Sequence, residues 1–220
     1  MKNIDFYKDV ESIVLKDKLG QFLGVDENFE YTFKDVVKLS GHSCPTVAGA
    51  YLMTIYSLKK LYENELPVRG EIKVELRDSK SSGITGVLAN VASFLTGAKE
   101  EDGFKGLQGK FARNNLLKYE SSIKGDMRFT RIDNEKSIEV SYDLTNIALS
   151  NFNPTIMQRG LQESVSKEEL ETFGAAWQQR VKEILTVHKD KTLIFYWIQI
   201  VDFSKDFFTK IYWLVGLFFL

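Results

Sequence analysis

The sequence predicts an α+β protein with a two-layer core, a mixed or antiparallel sheet packed with helices, followed by an apolar C-terminal tail. Two alternating segments, MRFTRI and SIEVSYDL, flank a short polar turn at residues 133–136 and predict an antiparallel hairpin. Strands and helices do not alternate strictly along the chain, so a doubly wound parallel fold does not follow. Hydrophobic residues are 44% and charged residues 27% of the 220, the balance of a chain that folds around one core. The body is expected over residues 1–190 and the tail over 191–220.

Taken in order, Phe6, Val10, Ile13 and Val14 are spaced to line one face of a helix ending near Gly20 or Gly24. FEYTF, residues 29–33, alternates and predicts a short strand or an extended entry into a helix, with Val36, Val37 and Leu39 turned inward. The run TVAGAYLMTIYSLKKLY is apolar on nearly all sides before Lys59 and Lys60, which predicts a helix buried in its first half. Ala48, Gly49 and Ala50 permit the close approach of another backbone.

GEIKVELRD alternates as a half-buried strand, with Ile72, Val74 and Leu76 on one side. Val87, Leu88, Val91, Phe94 and Leu95 have helical spacing, and a glycine-rich loop follows from Gly97 to Gly109. Ser166 and Glu169 have capping-box spacing before a stripe of Leu170, Phe173, Trp177, Val181 and Ile184.

The tail carries two apolar runs, LIFYWIQIV and IYWLVGLFFL, around the island DFSKDFFTK. Each run is about half of the roughly 20 residues that cross a bilayer as a helix, so no simple span is expected. Charged residues gather on one side of a helical wheel opposite Phe203, Phe207, Phe208 and Ile211. Residues 192–220 could therefore lie on a membrane surface, on a partner, or on their own domain.

A net charge of −1 excludes a global field for nucleic acid. A single cysteine excludes an internal disulfide, and the charged N-terminal stretch reads as no secretory signal, so a cytoplasmic location is expected.

That cysteine sits in SGHSCPTVAGAY. Pro45 at a first helical position would make Cys44 the N-cap of the following helix. A sulfur there faces unpaired amides and the positive end of the helix dipole, which suits it to ligate a metal or act as a nucleophile. His42 and Cys44 are two borderline-soft donors, half of a zinc site, and Glu75 and Asp78 are candidates to complete it, as are residues from another copy of the chain. The alternative chemistry is a thiol enzyme with Cys44 as nucleophile and His42 as base. The structural alternative is a small buried cysteine beside a turn histidine.

GHSCPTVAGAY resembles the Gly-His-x-Cys-Pro signature of the FmdE family, the proteins similar to the E component of formylmethanofuran dehydrogenase. The resemblance continues through RGEIKVELRDSKSSGITGVLANVASFLTGA, GFKGLQGKFARNNLLKY and WQQRVKEIL, over roughly residues 30–186. It implies an α+β core, a homodimer and a cavity where a transition metal binds, with the family's motif ligands falling on His42 and Cys44. The ion implied is zinc, with nickel or iron as alternatives. Many relatives have Gly where this chain has Thr46, and further cysteines where it has Ser81, Ser82 and Ala98; the cysteine-rich zinc finger of some relatives has no counterpart.

GFKGLQGK is no phosphate loop, because five residues separate Gly103 from Gly109 and Phe111 stands at the Ser/Thr position. Lys105, Lys110 and Arg113 are instead available to a small anionic ligand. His188 reads as structural or exposed. The functional expectation is an FmdE-like metal-binding protein; the alternative is a non-enzymatic dimeric module whose tail docks on a membrane or redox complex.

Overall fold

A computed structural model describes residues 4–197. A five-stranded mixed sheet runs in the order β4-β3-β5-β6-β7, with β3 (Ile72–Leu76) parallel to β4 (Leu117–Lys118) and every other pair antiparallel. Helices α3 (Pro45–Tyr62) and α4 (Thr85–Thr96) cover one face, giving the expected α+β architecture. The hairpin of β5 (Met127–Arg131) and β6 (Ser137–Tyr142) forms as its alternation requires: Met127, Phe129, Ile138 and Val140 are fully buried.

The start of the apolar C-terminal run forms β7 (Leu193–Trp197), which pairs with β6 from Tyr142 back to Ile138, so the sheet extends into the segment read as tail. Residues 198–220, where the amphipathic pattern lies, are outside the described residues. Among the described residues no helix is long and apolar enough to cross a membrane.

The predicted N-terminal helix is replaced by a 3-10 turn at Asp5–Asp9 and by β1 (Ile13–Lys16), antiparallel to β2 (Asn28–Tyr31). Ile13 and Leu15 are buried while Val14 between them is exposed, so a two-residue period governs where a helical spacing also fitted. A short helix, α1 (Lys18–Phe22), follows; Asp17 caps it by accepting the amides of Leu19 and Gly20 at 3.0 Å. In α2 (Phe33–Ser40) Val36 and Val37 are buried, but Leu39 points to solvent, being two residues and about 200° around the helix from Val37.

α3 is the centre of the molecule. Residues 47–55 are all buried, and each large apolar side chain among them contributes about 1.5–3 kcal/mol. Gly49 lies against the ring of Tyr142, whose atoms would be 2.6–2.7 Å from a Cβ, so the helix and the end of β6 meet at a distance only glycine permits. At the far end of α3, Arg131 donates to the Leu61 carbonyl at 3.3 Å and stacks 4.0 Å over Tyr62.

Asp17 ties three further segments together. Arg113 grips its two oxygens at 2.6 and 2.7 Å, and Arg69 reaches one of them at 3.2 Å while donating to the carbonyls of Phe94 and Leu95 at the end of α4. Burial alone would push the Asp17 carboxyl up, but the Gly20 amide and the two guanidiniums outweigh it and hold the group below the usual carboxylate range.

The stripe of α6 (Lys167–Lys182) packs only in its second half. The Ser166–Glu169 capping box forms, yet Leu170 stays exposed, Phe173 and Trp177 are half-buried, and Val181 and Ile184 reach the core. Sequence pattern alone did not separate α5 (Pro154–Leu161), capped by Asn153, or the π-helical turn Glu183–Val187.

Gly49→Ala should cost about 1–3 kcal/mol in urea unfolding, because the Tyr142 ring must move. Asp17→Asn keeps a capping oxygen but removes the charge, and should cost about 2–3 kcal/mol at pH 7, below the range for a fully buried pair because both guanidiniums reach water. A carboxyl lowered in the folded state stabilises above its unfolded pKa, about 3.9, and that stability is lost as pH falls through the folded value. The gap between wild type and Asp17→Asn should therefore close below about pH 4 in acid unfolding curves.

Candidate functional site

The motif occupies the turn between α2 and α3. Gly41 ends α2 in the left-handed region at φ 73°, its amide bonded to the Val37 carbonyl at 2.9 Å, and so reverses the chain. Cys44 is then extended, at φ −147° and ψ 167°, and is the N-cap of α3 with Pro45 at the first helical position, as the sequence predicts. Its Sγ accepts the Val47 amide at 3.4 Å. The thiol therefore serves the helix end as a serine hydroxyl would, while remaining partly accessible.

His42 is exposed. Its Nδ1 lies 2.9 Å from the Ser40 carbonyl oxygen, which can only accept, so Nδ1 carries a proton and the lone pair of the neutral ring falls on Nε2. A backbone carbonyl on one ring nitrogen is the arrangement that orients a metal-ligating histidine.

Ser43, between the two candidate ligands, is buried. Its carbonyl accepts Trp177 Nε1 at 3.1 Å and Gln178 Nε2 at 3.3 Å, so α6 clamps the motif turn from 134 residues away. Trp177, which reads as plain core in the sequence, is thus a support of the site. No local signal marks it, since the bond is made by an indole N–H to a backbone carbonyl.

One turn along α3 lies Tyr142, whose ring packs on Gly49 and whose buried hydroxyl has no hydrogen-bond partner among the described residues. Burial pushes that hydroxyl's pKa up, the nearby Cys44 pushes it further, and Arg180 opposes. Arg180 reaches the Ser150 carbonyl at 2.7 Å through one terminal nitrogen and stacks 5.1 Å from the Phe152 ring, while its buried Nε has no partner among the described residues. The sequence singles out neither residue, because both stand far along the chain from the motif.

The other candidates fall elsewhere. Glu75 lies on the opposite face of the sheet from α3: Ile72, Val74 and Leu76 fill the helix-covered face, and the alternation of β3 turns Lys73 and Glu75 away. There Arg128 holds Glu75 through two bonds of 2.6 Å. It cannot complete a site at Cys44. Asp78 is exposed beyond the end of β3, beside Arg77. Among the described residues no group of three or more His, Cys, Asp or Glu side chains is placed to hold a metal ion. Of the donors read from the sequence, His42 and Cys44 remain together in the turn, half the number that a tetrahedral shell needs.

Of the basic residues offered to an anion, Arg113 is committed to Asp17, while Lys105 and Lys110 are exposed. His188 is half-buried, and its buried Nδ1 has no partner among the described residues.

No family model matches the chain, and no curated protein matches it.

Serine is a good N-cap, so Cys44→Ser should leave stability within about 1 kcal/mol of wild type. Trp177→Phe removes a donor to the Ser43 carbonyl and should cost about 1 kcal/mol. Thermal unfolding of both variants checks the pair: a larger loss for the cysteine than for the tryptophan would show that the thiol does more for the fold than cap a helix.

Proposed function

We propose that the chain is an FmdE-like metal-binding protein in which His42 Nε2 and Cys44 Sγ each give one donor to a divalent transition metal. Zinc suits this pair best, and nickel or iron are acceptable to the same ligand types. The observation that carries the reading is the bond from His42 Nδ1 to the Ser40 carbonyl. It leaves an accessible imidazole lone pair two residues before a partly accessible sulfur at the positive end of a long buried helix.

Two donors leave positions for water, for a small molecule, or for the same residues of a second copy in a homodimer. Cys44 also gives the helix amide a partner, and an anionic sulfur can keep that bond while ligating. The α6 clamp on Ser43 adds support by fixing the backbone between the two donors.

Metal analysis of protein purified without chelators tests this. Wild type should hold zinc, and both His42→Ala and Cys44→Ser should bind it at least about tenfold more weakly, since loss of a ligand costs no less than loss of its support. Equal metal content in all three proteins rejects the proposal. One ion per two chains would place the missing donors in a second copy; one per chain would place them in solvent or a small ligand.

A further inference from the structure

Away from the motif, an apolar cleft opens where α1 ends beside the glycine-rich loop. Phe22 lies 5.3 Å from the ring of Phe111, and the two line a cavity of about 510 Å³ with Leu107, Gln108 and Lys110. Phe22 is 64% exposed and Leu107 40% exposed; beyond Phe22, Leu23 and Val25 are exposed as well. Aromatic and aliphatic side chains held in water at this density mark a surface made to be covered.

The cleft is held open by its frame. The Arg113 grip on Asp17 anchors one side of the loop to the cap of α1. Leu107 and Lys110 exchange backbone hydrogen bonds of 2.8 and 3.0 Å, closing the loop tip. Phe111 itself sits at φ 62°, a region that a bulky side chain enters only when its surroundings impose it.

We infer that the occupant is this chain's own C-terminal segment, residues 198–220. β7 runs from the level of Tyr142 to that of Ile138, which lies across Phe129 from Val74, so it ends level with the middle of β3 and heads toward the end of the sheet where β3 begins. Gly70, just before β3, lies against Arg113, 3.4 Å from the position of a Cβ. Three strand spacings, roughly 14 Å, separate β7 from β3. The 23 residues beyond Trp197 span about 34 Å even at the rise of a helix, so the segment is long enough to reach the loop. It carries Phe207, Phe208 and the run from Ile211 to Leu220 to meet the aromatic cleft. Tethering gives a local concentration in the millimolar range, which favours the chain's own segment over that of another copy.

The single native cysteine makes a linkage test clean. In a Cys44→Ser background, Lys110→Cys is paired in turn with Tyr212→Cys, Leu214→Cys and Gly216→Cys, and the full chain is mildly oxidised at low protein concentration. A disulfide within one chain in at least one pair, seen at monomer mass, is the expected result; linkage only between chains, or none in any pair, overturns the inference. Independently, Phe22→Asp with Leu107→Asp should speed chymotryptic cutting within residues 198–220 by roughly tenfold over wild type, because the segment loses its seat. An unchanged rate would count against it. Neither outcome depends on metal content, so it stands or falls apart from the His42–Cys44 reading.

Discussion

A helix buried on every side from residue 47 to residue 55 must be surrounded there, and α3 imposes that demand on the rest of the fold. The sheet supplies one wall, α2 and α4 others, and the turn Glu183–Val187 closes a further side. Because Gly49 has no side chain, the end of β6 can approach until the Tyr142 ring touches the helix backbone. The same approach buries the Tyr142 hydroxyl within electrostatic reach of the thiol that caps the helix.

The motif turn is accordingly a structural joint before it is a site. Gly41 reverses the chain, Cys44 gives an acceptor to an otherwise unpaired amide, and α6 holds the carbonyl between them. A joint fixed from both sides presents its two potential donors with little freedom, which is what a metal site asks of its support.

Much of this was legible in the sequence where period and caps agreed. Alternation in β3, β5 and β6, the Cys-Pro start of α3 and the Ser166–Glu169 box each settle an element by local rules. The N-terminus failed because Phe6, Val10 and Ile13 fit a helix while Ile13 and Leu15 fit a strand, and pairing with β2 decided between them. Of the site, His42 and Cys44 were visible as a motif, but Trp177, Tyr142 and Arg180 were not. They arrive through tertiary packing, and nothing in their own neighbourhoods distinguishes them from ordinary core residues. Glu75 misled because its nearness to a strand end says nothing about which face it occupies.

The placement of β7 has a consequence for synthesis. Tyr142 pairs with Leu193, 51 positions later, so the outer edge of β6 waits for its neighbour while both α5 and α6 are made. At about 5–20 residues per second that interval is roughly 3–10 s, during which an apolar strand offers unsatisfied amides and carbonyls to whatever is near. The emerging chain therefore carries its greatest hazard of mispairing between nascent copies late, after most of its core has closed.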